Sequence, residues 1–389
     1  MATDCRALIV ERIRERGLMT VAEYMELALY HPEQGYYARA SVRTGRAGDF
    51  FTSVDMGPLF GELLAVQIAE MWRMIRGVEE SGAGTQGFDL VEAGAGNGRL
   101  ARDILDWLEA RDAACYGAVR LHLVERSAEA QAGQRRVLGP QAGRLETSSV
   151  NLPERIDGVV YANELLDALP THLVEMTDEG LREVYVGADG DRLVERVDRA
   201  SSPELAAYLV RAGITLEPGW RAEINLGAAA WVRETARRLA RGFILLIDYG
   251  HRAPDLYSAA RAAGTLAAYT QHTNAGPPSG PGRVPAWLVE PGSRDITAHV
   301  DLTSLSRVAE DEGLATIAIL DQTYFLLGLG LADRVAESAG DGRRDLERRL
   351  ALKTLMVPGG LGSTHKVMIL GRGVGSPALR GCSFGTRLT

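Results

Sequence analysis

Cysteine is scarce in this chain. Among 389 residues only Cys5, Cys115 and Cys382 occur. They are odd in number, far apart and never paired as CxxC. That excludes a cysteine-based zinc cluster or a disulfide framework and fits a reducing compartment. Apolar runs of the ~18 residues that a spanning helix needs are missing, so no membrane span is expected. Positive charge is also short: 43 Lys and Arg face 51 Asp and Glu, a net charge of −8. With no basic and aromatic array either, nucleic acid is not an expected partner. The 7 histidines show no ligand spacing, so no metal site is expected. The opening stretch MATDCRALIVERIRERG mixes acids among its arginines and has no apolar signal core, which gives a cytoplasmic expectation.

What is present suits a soluble globular protein: 46% of residues are hydrophobic and 24% charged, in a chain long enough to bury a large core. Residues 4–16 read as an amphipathic helix. Thr20 and Glu23 form a capping box that opens a second helix to Tyr30, and a third runs from about Leu59 to Ile75. Residues 81–87 (SGAGTQG) read as a linker. From Phe88 onward strands and helices alternate. FDLVEA, VRLHLVE, DGVVYA, GFILLIDYG, ATIAIL and THKVMIL are the strands, with a weaker one near 143–147. Repeated strand–helix units predict an α/β fold with a mostly parallel sheet covered by helices. Residues 171–198 alternate like a hairpin, and 264–300 read as a long loop. The expected organisation is an N-terminal helical region with an active-site loop over 1–80, a main domain over 81–371 with those two insertions, and a disordered tail over 372–389.

The stretch VEAGAGNGRL (91–100) follows a strand and opens a helix. Gly94, Gly96 and Gly98 there allow a tight turn and close approach of a ligand to the backbone. The dinucleotide fingerprint GxGxxG fails, because position 99 is arginine, and the GK[ST] of a phosphate loop is absent. The loop therefore suits a nucleoside ligand without a pyrophosphate. Glu125, at the end of the next strand, is placed to accept hydrogen bonds from both ribose hydroxyls. Glu92 can order the loop or meet a cationic ligand. Strand, E-x-G-x-G-x-G, helix, strand, Glu is the pattern of class I S-adenosylmethionine methyltransferases, so S-adenosyl-L-methionine is the expected cofactor.

Several further stretches carry a more specific likeness. YMELALYHPEQGYY (24–37), GRAGDFFTS (45–53), FGELLA (60–65), NELLDALP (163–170), LLIDYGH (245–251), GTLAAYTQH (264–272) and RDITAHVDLTSL (294–305) resemble the MidA family, in that family's order. The resemblance implies a class I methyltransferase domain, Rossmann-like with a mostly parallel seven-stranded sheet. It also implies protein-arginine methylation: the mitochondrial members are complex I assembly factors, and the mitochondrial member is reported to dimethylate an arginine on a core complex I subunit. A protein substrate is implied, a respiratory complex I-type subunit or another protein. The chain departs from the family pattern at Val54-Asp55 and at His365, where the family reads Pro-Glu and Phe.

YANELLDALP leaves its strand at the edge where doubly wound sheets bind ligands. Glu164 and Asp167 are the expected catalytic carboxylates. An i, i+3 spacing would put them on one helical face, where they can grip a planar guanidinium. Asn163 is expected to meet the cofactor or orient the loop. The plainer alternative is that Asn163 and Asp167 cap a helix. Further expected contacts with substrate or lid are Arg46, Asp49, Phe50, Thr52 and Ser53, then Asp248 and Tyr249, then His272 and His299. A non-catalytic, cofactor-binding assembly factor and a small-molecule methyltransferase are the rival functions.

Overall fold

The computed structural model describes residues 4–38, 54, 57–77, 87–270, 273–275, 284–337 and 364–384. The expected contacts Arg46, Asp49, Phe50, Thr52, Ser53 and His272 lie outside these residues. The chain divides into two compact units. One is built from Met1–Phe51, Leu166–Trp231 and Gly250–Leu305, the other from Thr52–Leu165, Val232–Tyr249 and Ser306–Thr389.

The second unit holds the main sheet. Seven strands run across it in the order Ala315–Asp321, His365–Arg372, Leu239–His251, Ile156–Asn163, Phe88–Ala93, Val119–Val124, Leu145–Ser149. The last five are mutually parallel. His365–Arg372 runs antiparallel to both of its neighbours. The parallel strands are apolar runs because both faces are covered: Leu90, Val91, Val159, Val160, Ile244 and Leu245 are fully buried. The expected strands therefore form the class I methyltransferase sheet, and the weak stretch near 143–147 supplies its edge strand, Leu145–Ser149. Helices Leu59–Gly77 and Arg99–Arg111 belong to this unit.

The first unit departs from expectation. The 171–198 stretch is a three-stranded meander, His172–Thr177, Gly180–Asp189 and Arg192–Asp198. Arg221–Ile224 and the two residues Met19–Thr20 extend it to a five-stranded antiparallel sheet. Its two turns carry Gly180 and Gly190 at φ of +110° and +62°. Such turns close hairpins readily, so the alternating run folds back twice. Thr20 caps helix Val21–Tyr30, accepting from the Glu23 amide at 3.1 Å while Glu23 accepts from the Thr20 amide at 2.8 Å. That helix packs in a cluster with Ile9, Leu173, Val184 and Trp287. The 264–300 stretch is not simply loop: Ala267–Thr270 pairs with both Thr273–Ala275 and Asp295–Thr297.

The expected disordered tail is structured as far as Phe384. Gly381 donates to the buried Gln67 side chain at 3.0 Å, and Arg380 donates through its amide to Glu70 at 2.9 Å. A Cβ at Gly381 would lie 2.4 Å from the Phe325 ring, so glycine permits this close packing. Among the described residues no helix is long and apolar enough to cross a membrane.

Candidate active site

Strand Phe88–Ala93 is buried at every position and delivers the glycine loop to the carboxyl edge of the sheet. The amides of Gly94 and Ala95 both donate to the Val124 carbonyl, at 2.9 and 3.1 Å, and Gly98 donates back to Ala95 at 2.8 Å. These bonds wind the loop into a turn that only positive φ allows. Gly96 has φ of +49°, and a Cβ built on it would meet nothing within 4 Å. Its backbone therefore borders open space, as a nucleoside cradle requires.

Glu125 follows the next strand and is joined to this loop. One carboxylate oxygen accepts from the Gly96 amide at 2.8 Å and the other from the Ser127 amide at 2.7 Å. A carboxylate has about four lone-pair sites, so these bonds fix its direction and leave capacity for ribose hydroxyls. Buried Gln134 supports the loop from below, donating to the Gly96 carbonyl at 2.8 Å. The residues fit the adenosyl part of S-adenosyl-L-methionine: an open glycine turn beside a fixed acid.

Glu92 lies next to the end of the strand that leads into this loop. It is buried, and the Tyr161 hydroxyl donates to it at 3.0 Å. Burial pushes its carboxyl up to about 8, against the opposing pull of Tyr161 and the Ala101 amide. That shift favours the protonated acid near neutral pH, and its partners tie the strand end to Tyr161 of the adjacent strand and to Ala101 of the following helix.

Strand Ile156–Asn163 ends at the same edge. Glu164 follows it with φ of +51°, the left-handed region that is costly for a residue with a Cβ. Its amide donates to the Ile247 carbonyl at 2.8 Å, which holds this conformation. Asn163 donates through its side-chain amide to Glu164 Oε1 at 3.2 Å. The expected helix after Asn163 does not form, so Glu164 and Asp167 do not share a helical face and Asn163 caps none. A left-handed residue at 164 and Pro170 shortly after leave only bends and turns.

Asp167 belongs to the first unit, where it is buried. There its backbone carbonyl accepts from Ala298 at 2.9 Å. Burial first, and then the Asp295 and Asp167 carboxylates among its neighbours, raises the Tyr37 phenol well above its usual range. The Tyr37 hydroxyl donates to Asp295 at 2.9 Å. His299, in the same unit, donates through its amide to Thr265 at 3.0 Å, and its ring centroid lies 5.2 Å from that of His251.

Asp248 shapes the turn after Glu164. Its two oxygens accept from the Leu165 amide at 3.2 Å and the Tyr249 amide at 2.8 Å. Tyr249 lies against His365, ring centroids 3.9 Å apart, and His365 Nε2 is 3.4 Å from Glu164 Oε1. Sequence reasoning did not place His365 or Tyr161 in the site. The signal for His365 was its departure from the family pattern. The signal for Tyr161 was a hydroxyl within an otherwise apolar strand. Among the described residues no group of His, Cys, Asp and Glu is placed to hold a metal ion.

Comparison with known proteins agrees with this geometry. A family model for S-adenosyl-L-methionine-dependent methyltransferases matches residues 63–320. A crystal structure from Burkholderia thailandensis, bound to S-adenosyl-homocysteine, superposes with a TM-score of 0.84 at 31% identity, covering 97% of this chain and 94% of that one. The Drosophila melanogaster protein named "Protein arginine methyltransferase NDUFAF7 homolog, mitochondrial" is 31% identical over 78% of this chain and 69% of its own length. The human protein named "Protein arginine methyltransferase NDUFAF7, mitochondrial" is 28% identical over 84% of this chain and 73% of its own length. The chain belongs to the MidA-like family of S-adenosyl-L-methionine-dependent methyltransferases.

Proposed function

We propose that the chain methylates an arginine side chain of a protein and that Glu164 grips the acceptor. The observation that carries this reading is the strained placement of Glu164. Its carboxylate is 8% exposed and is held in the left-handed region at the carboxyl end of the strand beside the glycine-loop strand. Strain of that kind costs roughly 1–3 kcal/mol and persists where a site requires it. The relatives named protein arginine methyltransferases support the choice of acceptor. A respiratory complex I-type subunit is within that acceptor class.

The cofactor supplies an electrophilic methyl on a sulfonium. Guanidinium is a poor nucleophile because it stays protonated and delocalised. Glu164 pairs with one edge of the fork, fixes one nitrogen for in-line attack and draws positive charge away from it. A charge-assisted bond of this type contributes roughly 1.5–3 kcal/mol. Holding the nitrogen in line can supply up to roughly 7–11 kcal/mol of the barrier. Asp248 fixes the turn that aims Glu164, and Asn163 steadies the carboxylate.

The test is methyl transfer from labelled S-adenosylmethionine into proteins of an extract from cells lacking this chain, followed by acid hydrolysis. Label in methylarginine is expected with wild type. Glu164→Gln should bind S-adenosylhomocysteine normally and lose label about 10²-fold or more. Full activity in that variant refutes the role of Glu164. Label in small molecules only refutes the protein acceptor.

A further inference from the structure

Behind Glu164 stands a second group to which the grip gives no task. His365 opens the antiparallel strand His365–Arg372, directly across from Tyr249. Its side chain is fully buried, and its Nε2 faces Glu164 Oε1 at 3.4 Å. The Tyr249 ring backs the imidazole, with centroids 3.9 Å apart. Two other charged groups among the described residues of this edge have partners of their own. Lys366 forms an ion pair with Asp321, and Asp248 accepts from the amides of Leu165 and Tyr249. Among the described residues, Glu164 is a carboxylate that the imidazole faces.

We propose that His365 is the positioning and proton-sharing partner of Glu164 during methyl transfer, an inference that rests on the reading of Glu164 above. The acceptor guanidinium arrives positively charged. As its nitrogen forms the new N–C bond, the C–S bond breaks and its electron pair stays on sulfur. The nitrogen then gives up one proton. Glu164 takes that proton, and His365 Nε2 holds it jointly across the Oε1–Nε2 contact. At 3.4 Å this contact is longer than the ~2.7–3.2 Å of an ordinary hydrogen bond. Catalytic contacts are often long before the reacting complex forms and tighten within it. Because the imidazole is sealed from solvent, the proton leaves through Glu164 when product departs.

Two variants separate proton sharing from packing. His365→Phe keeps an aromatic ring behind Glu164 and removes both ring nitrogens. His365→Gln keeps a hydrogen-bonding amide near the Nε2 position but cannot take a proton. Rates of methylarginine formation would be measured over a range of extract concentrations, to separate kcat from KM, with S-adenosylhomocysteine affinity measured by calorimetry. Both variants should bind S-adenosylhomocysteine within about twofold of wild type and lose turnover by about 10-fold or more. The loss should fall on kcat, with the KM for the protein acceptor within about twofold of wild type, because the proton is shared only once the acceptor nitrogen has been methylated. Wild-type turnover in either variant overturns the inference, as does a loss that falls on the KM for the protein acceptor with kcat unchanged. If His365→Phe loses S-adenosylhomocysteine binding through misfolding, His365→Gln decides alone. Absence of methylarginine with every protein overturns the arginine reading and His365 with it. Methylarginine made equally by wild type and both variants overturns His365 alone.

Discussion

Glu92 ends a strand in which every residue is buried, and its neighbour across the sheet in register is Tyr161. The sequence shows an acid just before a glycine loop, but not which way its side chain turns. Strand register decides that, since it aligns the Tyr161 hydroxyl with the carboxyl. The consequence is a pH dependence with a definite sign. Burial raises this carboxyl from 4.5 to about 8 in the folded chain. A group raised on folding contributes stability that is complete below its unfolded value and is lost as pH rises toward its folded value. Between pH 4.5 and 8 the cost of ionising Glu92 should reach up to about 4 kcal/mol. Glu92→Gln has no such titration and keeps a partner for Tyr161. Urea unfolding at pH 5 and pH 8 should therefore show the variant losing less stability than wild type over that interval. Parallel losses in the two proteins would mean that Glu92 ionises without penalty. Glu164 was legible in the sequence as an acid at a strand end, whereas its left-handed backbone was not, because nothing in NELLDALP forbids a helix.

Among the elements, the parallel strands were the most legible, because strands buried on both faces read as unbroken apolar runs. The antiparallel sheet was harder. The alternation in 171–198 fitted one hairpin, although Asp189-Gly190 carried a strong second turn signal. The strand partners Met19–Thr20 and Arg221–Ile224 are too short to show any period. One constraint within the main sheet is backbone packing. Gly242 has φ of +126° and sits opposite Gly158 on the adjacent parallel strand. A Cβ at Gly242 would fall 1.8 Å from the Gly158 carbonyl oxygen, an overlap that only a backbone shift can relieve. Gly242→Ala should therefore lower unfolding free energy by about 3 kcal/mol or more. Gly117→Ala is the matched control, since a Cβ there meets nothing within 4 Å. Equal denaturant midpoints for the two variants would show that the strands separate at little cost.

At the scale of the whole chain, each compact unit is assembled from three separate stretches of sequence, which is why a linear division at residues 80 and 371 does not follow the contacts. The glycine loop, Glu125 and Glu164 all belong to one of these units. A ligand that binds the folded state alone stabilises it by mass action, by about 2.7 kcal/mol at 100 times its dissociation constant. S-adenosylhomocysteine at that excess should thus raise the melting temperature of the unit that holds the loop. Gly96→Val removes the effect by a specific route. The valine side chain would fill the open space beside the loop, and φ of +49° disfavours a β-branched residue besides. Its ligand-free melting point should fall, because the strained loop costs stability, and S-adenosylhomocysteine should then produce no shift. If melting shows two steps, ligand should move only the step assigned to the unit carrying the loop. A full ligand shift in Gly96→Val would place the nucleoside elsewhere on the chain and remove the basis for setting the methyl beside Glu164.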